Sequence, residues 1–176
     1  KGENFHRARK IVLDLRKYKA NPGGRLLESS SPQHLPPILR SVHKIPEELR
    51  VRPQWCLMGQ DAEPINPRTG NRAAVDNPGT WGSFEDCLRI ATRTGTGLGF
   101  VLSENDPYCI VDLDDKESNP ASADERDLFG RLMEYFDGTY QEVSKSGRGY
   151  HIIVKAKLDC GRRTPHVDVY DSRRFF

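Results

Sequence analysis

The stretch Tyr108-Cys109-Ile110-Val111-Asp112-Leu113-Asp114-Asp115 constrains this chain more than any other. Its apolar residues read as a strand, and along a strand residues i and i+2 share a face. Val111 and Leu113 therefore point into a core, and Asp112 and Asp114 point together on the other side. Two ionised carboxylates side by side repel each other unless a cation joins them. Oxygen ligands suit Mg²⁺ or Mn²⁺. Two such ions about 3.5–4 Å apart can hold both the attacking and the leaving oxygen of a phosphoryl transfer. The competing reading is a solvated strand end whose aspartates make a turn. A calcium loop of the EF-hand type does not fit, because Lys116, Glu117 and Ala123 stand at its fifth, sixth and twelfth positions.

The pattern around this strand predicts more strands with helices between them. Gln54 to Met58, Leu98 to Leu102, Tyr140 to Ser144, Tyr150 to Ala156 and Val167 to Tyr170 read as strands. Pro64, Asn66-Pro67 and Thr69-Gly70 mark a turn-rich loop. Ser83 is placed as the N-cap of a helix that turns Phe84, Cys87, Leu88 and Ala91 inward. Ser122 followed by Glu125 has the capping-box pattern, Leu128, Leu132, Met133 and Phe136 form the apolar stripe of that helix, and Gly138 ends it. Pro46 sits at a first helical position, with Glu47 and Glu48 in the first turn. Further upstream, residues 4–19 read as an amphipathic helix and residues 21–38 as a Pro-, Ser- and Gly-rich linker. A second regime begins near Val51, and strands with interspersed helices and a hairpin predict an α+β sheet domain there; the division into a basic helix and linker over 1–44 and a domain over 45–176 follows the resemblance given below.

The hairpin is the second informative piece. Ser144-Lys145-Ser146-Gly147-Arg148-Gly149-Tyr150-His151 joins two predicted strands. Gly147 and Gly149 allow backbone N–H groups to converge on an anion, Ser146 adds a hydroxyl, and Lys145 and Arg148 add positive charge. With His151 opening the next strand, the set reads as a triphosphate cradle. The alternative is an ordinary hairpin with a surface histidine. Asp168, in His166-Val167-Asp168-Val169-Tyr170, is a third acid on a strand, and Arg173-Arg174 follow as candidate phosphate ligands.

Composition narrows the field further. Residues 1–52 hold 12 Lys/Arg against 5 Asp/Glu, while the remaining 124 hold 15 against 20. A basic front can follow a phosphate backbone or simply be a solvated helix face; the acidic body argues against DNA binding by bulk charge alone but suits a site that gathers carboxylates around metal ions. The cysteines at 56, 87, 109 and 160 lie far apart, which excludes a CxxC zinc module and argues for buried thiols in an intracellular, cytoplasmic protein. No run approaches the roughly 20 apolar residues of a membrane span. The start at Lys1 and the stop at Phe176 lead to the expectation of a fragment of a larger protein. There is no GxxxxGK[ST], Gly95-Thr96-Gly97-Leu98-Gly99 is not a dinucleotide fingerprint, and His151-Ile152-Ile153 lacks the second histidine of rolling-circle nucleases.

The order of these pieces resembles the archaeo-eukaryotic primase superfamily. More closely, it resembles the bifunctional primase–polymerase domain of phage, plasmid and mobile-element replication proteins. The likeness covers about residues 45–176: the DxD strand, a helix, a strand, Ser146-Gly147-x-Gly149-x-His151 entering another strand, and a strand carrying an acid. Trp55, Asn66-Pro67 with Gly70, Thr80-Trp81, Ser83-Phe84-Glu85, the run Gly97 to Leu102 and the run Asp171 to Phe176 extend it.

The resemblance implies an RRM-like catalytic sheet packed with an N-terminal α/β unit. It implies a DNA primase/DNA polymerase that transfers nucleotides from NTP or dNTP onto a primer or initiating nucleotide on single-stranded DNA. Carried over by position, Asp112, Asp114 and Asp168 are the catalytic, metal-holding acids for two Mg²⁺ or Mn²⁺ ions. Ser146, Gly147, Arg148, His151 and Arg174 correspond to the nucleotide-binding set. A helicase domain, in the same protein or in trans, is the expected partner, and the domain is expected to be truncated at its C-terminus. Two positions depart from the pattern: Gly149 stands where the wider superfamily often has Ser, and Ala62-Glu63-Pro64 lacks a Lys, a role for which Arg68 and Arg72 are candidates. The rival readings are a metal-dependent nuclease and a non-catalytic DNA-binding initiation module.

Overall fold

A computed structural model describes residues 42–159 and 161–176. The helix expected over 4–19 and the linker over 21–38 lie outside the described residues. The described chain divides into two compact units, one from Leu102 to Arg174 and the other running up to Val101 together with Phe175–Phe176. Both mix helix with antiparallel sheet, so the fold is α+β as the sequence pattern predicts.

The unit that ends at Val101 opens on a short helix α1 (Glu47–Arg50), for which Pro46 is the N-cap, one place earlier than expected. Strand β1 (Trp55–Met58) pairs antiparallel with β2 (Pro64–Ile65) and with β3 (Gly97–Leu102). The pairing of Pro64 and Ile65 turns part of the expected loop into an edge strand, where a proline costs no ladder bond. Helix α2 (Phe84–Thr94) starts at Ser83, whose hydroxyl accepts the Asp86 N–H, and buries Phe84, Cys87 and Ala91. Arg68, a candidate for nucleic-acid contact, instead donates to the carbonyls of Trp81 at 2.8 Å and of Gly79, which staples this loop.

The second unit holds a five-stranded sheet in the order β5-β6-β4-β8-β7. Its strands are β4 (Tyr108–Leu113), β5 (Tyr140–Val143), β6 (Tyr150–Lys155), β7 (Arg162–Arg163) and β8 (Val167–Tyr170). Helix α3 (Ala123–Tyr135) covers one face. That face supplies Cys109, Val111 and Leu113 from β4 and Ile152 and Val154 from β6, packed against Phe129 and Phe136. Alternation therefore sends Tyr108, Ile110 and Asp112 to the opposite face, as the DxD pattern requires.

The stripe of α3 differs from expectation by one position. Leu128 is exposed and Phe129 is buried, with Leu132 and Met133 partly buried beside it. Phe129, Leu132, Met133 and Phe136 follow i, i+3, i+4, i+7, and Leu128 sits about 100° away from that line. The expected capping box is formed: Ser122 Oγ accepts the Glu125 N–H, and Glu125 accepts the Ser122 N–H.

Candidate functional site

Strand register builds the site. Asp112 on β4 lies opposite His151 on β6 and opposite Asp168 on β8. Glu142 on β5 lies opposite His151, and Arg163 on β7 lies opposite Asp168. Directly opposite residues point to the same face. One transverse row therefore crosses five strands: Glu142, His151, Asp112, Asp168, Arg163. The next row is largely apolar and runs Tyr140, Ile153, Ile110, Tyr170. The charged row thus stands at the end of the sheet, where β4 leads into Asp114 and Asp115.

The row is linked by its side chains. His151 Nε2 lies 3.7 Å from Asp112 Oδ1, and His151 Nδ1 lies 2.9 Å from Glu142 Oε1. Burial opposes a charged imidazolium, but the hydrogen bond to Glu142 and the charges of Glu142, Asp112 and Asp114 outweigh it. The pKa of His151 is thereby raised. Asp112 is also shifted upward, first by burial, against the attraction of His151 and with added repulsion from Asp114 and Asp168. Asp168 Oδ2 accepts from Arg163 Nε at 3.3 Å and from the Tyr170 hydroxyl. Arg174 stacks its guanidinium 4.2 Å above the ring of Tyr170, whose hydroxyl donates to Asp168.

Asp114 continues the carboxylate face beyond the strand. Its N–H donates to the His166 carbonyl at 2.9 Å, and its side chain meets Lys116 Nζ at 2.5 Å. The bonded carboxylate raises the pKa of Lys116.

The expected metal acids share one face but are not drawn into a cage. Among the described residues, no three His, Cys, Asp or Glu side chains form a ready-made metal group. Lys116 holds Asp114, and Arg163 with Tyr170 holds one oxygen of Asp168. The donor chemistry nevertheless suits a hard divalent cation. Asp168 Oδ1 is buried and has no hydrogen-bond partner among the described residues. A buried carboxylate oxygen without a partner and a carboxyl raised by burial and like charge are both deficits that a cation relieves.

The glycine turn lies beside this row. Gly147 adopts φ +75°, and its N–H closes the turn on the Ser144 carbonyl at 2.9 Å. Gly149 passes so close to β4 that an added Cβ would lie 2.3 Å from the Leu113 carbonyl oxygen. Ser146 Oγ pairs with Ser144 Oγ at 3.0 Å and accepts the Arg148 N–H at 3.3 Å. Gly149 N–H donates to Ser144 Oγ at 3.1 Å. The N–H groups of Gly147, Arg148 and Gly149 thus serve the turn itself in this conformation.

Arg148 reaches back to Asp115. Its Nε donates to the Asp115 carbonyl at 3.1 Å, and a second nitrogen lies 3.4 Å from Oδ1. Asp115 also accepts from the Ala121 N–H and from Arg126, and these contacts hold its carboxyl below the usual range. The β5–β6 turn and the β4–α3 loop are tied together through this one buried carboxylate.

Sequence reasoning placed Asp112, Asp168 and His151 on the right strands, and register brings them together. It missed Glu142, Tyr140 and Asp115. Glu142 lies as far before the glycine turn as His151 lies after it, and only hairpin register reveals that pairing. The three described cysteines, Cys56, Cys87 and Cys109, are buried free thiols that burial pushes up to about 12, so none is poised as a nucleophile. No described helix is long and apolar enough to cross a membrane.

A sheet face carrying in-register carboxylates, a histidine and flanking cations is the candidate site. No protein-family model matches the chain. Over 69% of its length the chain is 32% identical to a protein described as a DNA primase-polymerase, from Nitratiruptor phage NrS-1. The match covers 18% of that protein, so the chain spans less than a fifth of the relative's length.

Proposed function

We propose that this chain carries the nucleotidyl-transfer site of a DNA primase–polymerase. The observation that carries the reading is the register of Asp112, His151 and Asp168 on three adjacent strands. The similarity to a phage DNA primase-polymerase supports it.

In this reading Asp112, Asp114 and Asp168 hold Mg²⁺ or Mn²⁺. When bound, the metal makes the attacking hydroxyl more acidic and neutralises charge on the triphosphate. The chain's own residues do the positioning. His151 lies beside Asp112, where its Nε2 edge meets an incoming triphosphate. Arg163 and Lys116 are cations already at the acids, and they would supply positive charge beside the triphosphate. Arg148, Ser146 and Gly147 set the wall of the cradle, and Arg174 fixes Tyr170 against Asp168. Catalysis then comes mainly from alignment and charge neutralisation. The substrates are a single-stranded DNA template, a primer or initiating nucleotide, and NTP or dNTP.

The test is primer extension and de novo priming on single-stranded DNA with Mn²⁺ or Mg²⁺ and all eight nucleotides. Metal-dependent products that vanish in an Asp112→Ala, Asp114→Ala chain are expected. Template shortening without extension would assign the acids to a nuclease. Salt-sensitive DNA binding with neither activity would assign the chain to a binding module.

A further inference from the structure

We infer that Glu142, braced by Tyr140, is a positioning residue that fixes the ring and tautomer of His151 and aims its Nε2 at the carboxylate face. The inference rests on the proposed site but concerns a residue outside its acids and its glycine turn.

Strand alternation decides where Glu142 points. Gln141, the residue before it, faces α3 and donates to the carbonyls of Met133 at 2.9 Å and Phe136 at 3.0 Å. Glu142 must then face the other side of the sheet, the side shared by its register partner His151. Tyr140, two residues earlier, shares that face, and its hydroxyl donates to Glu142 Oε2 at 2.8 Å. The other oxygen, Oε1, meets His151 Nδ1 at 2.9 Å. Each oxygen of the carboxylate is thus engaged by a different donor.

An ionised carboxylate only accepts hydrogen bonds. Nδ1 is therefore the protonated nitrogen, and the ring plane is set by a partner held in turn from its far side. Nε2 is left as the nitrogen facing Asp112, at 3.7 Å from Oδ1. A histidine bonded through one nitrogen to a braced carboxylate is a recurrent way of orienting the other nitrogen toward a metal or a phosphate. Here β5, the edge strand of the sheet among the described residues, gains a reason to carry Glu at this one position.

The experiment reads the tautomer directly in the whole chain. Histidine is labelled with ¹⁵N, and long-range ¹H–¹⁵N spectra are recorded at successively higher pH until the His151 signal no longer moves, so that the neutral ring is observed. Of the five histidines, the His151 signal is assigned by its loss in His151→Gln. The wild-type chain is expected to show the Nδ1–H form, which a free neutral imidazole populates less. Glu142→Leu should lose it, and Glu142→Gln, which keeps an acceptor, should retain it. Tyr140→Phe, which leaves the Glu142–His151 contact in place, should retain the Nδ1–H form with a broadened signal; this variant serves if Glu142→Leu does not fold. In primer extension, Glu142→Leu should raise the KM for nucleotide by about tenfold, with a smaller change in kcat.

An Nε2–H tautomer in the wild type, or an unchanged one in Glu142→Leu, overturns the inference. So does an unchanged nucleotide KM in a Glu142→Leu enzyme that has lost the Nδ1–H form. A wild-type chain that shows the expected tautomer shift on substitution but extends no primer supports the positioning of His151 and overturns only the reaction assigned to the site.

Discussion

Gly149→Ala tests whether the glycine turn is set by the approach of two backbones. A Cβ at Gly149 would lie 2.3 Å from the Leu113 carbonyl oxygen, 3.4 Å from the Leu113 carbonyl carbon and 3.1 Å from Ser144 Oγ. Carbon meets a carbonyl oxygen at about 3.3–3.6 Å, so the main chains must part by roughly 1 Å. The obstructing atom belongs to backbone, which cannot rotate away as a flexible side chain would. Overpacking costs about 1–3 kcal/mol, and a rigid obstruction belongs at the upper end, near 3 kcal/mol. Gly130→Ala is the internal control. It lies in α3, where an added Cβ meets nothing within 4 Å. There alanine should stabilise the chain by about 0.5–1 kcal/mol, because glycine is a poor helix former. Urea denaturation of the whole chain reads both variants, with a fall of about 6–12 °C in Tm accompanying Gly149→Ala. A Gly149→Ala chain within about 0.5 kcal/mol of wild type would refute the reasoning, since that is the range of an uneventful surface change.

Two further substitutions examine α3. Phe129→Ala should cost about 3–5 kcal/mol in denaturation, as expected for a buried aromatic, while Leu128→Ala should stay within about 0.5 kcal/mol; the reverse order would restore Leu128 to the core stripe. The capping box gives a pH signature. The Ser122 N–H and hydroxyl hold the Glu125 carboxyl below the ordinary range. A depressed carboxyl contributes stability above its unfolded value and loses it as pH falls through the folded one. Ser122→Ala should therefore cost about 1 kcal/mol at neutral pH, and less once acid protonates Glu125 in both chains. A penalty independent of pH would contradict this account of the cap.

Much of the fold was legible because its signals are local. The limits of the Tyr108–Leu113 strand follow from an apolar run bounded by polar turns, and the Ser122–Glu125 box follows from side chains that meet three residues apart. The Phe129 stripe was mistaken because Leu128 and Phe129 are adjacent apolar residues, and only packing against the sheet decides which turns inward. The site divided along the same line. Asp112, Asp168 and His151 carry chemistry that a sequence displays. The role of Glu142 depends on hairpin register, and that of Asp115 on a turn 33 residues further along the chain. Arg148 was assigned to a phosphate from its charge and its neighbours. Its contacts run to Asp115, a buried carboxylate that also accepts from Ala121 and Arg126.

The most direct measurement is template-dependent nucleotide incorporation by Asp168→Asn beside the wild-type chain. Asp168 is the one acid that only folding brings to Asp112, and asparagine preserves its size and its bond to Tyr170. The account predicts a loss of at least about 100-fold in kcat/KM with Mn²⁺ or Mg²⁺, as befits removal of a carboxylate that would hold the charge-neutralising cation. Incorporation at the wild-type rate would contradict the claim that the sheet row is the catalytic centre.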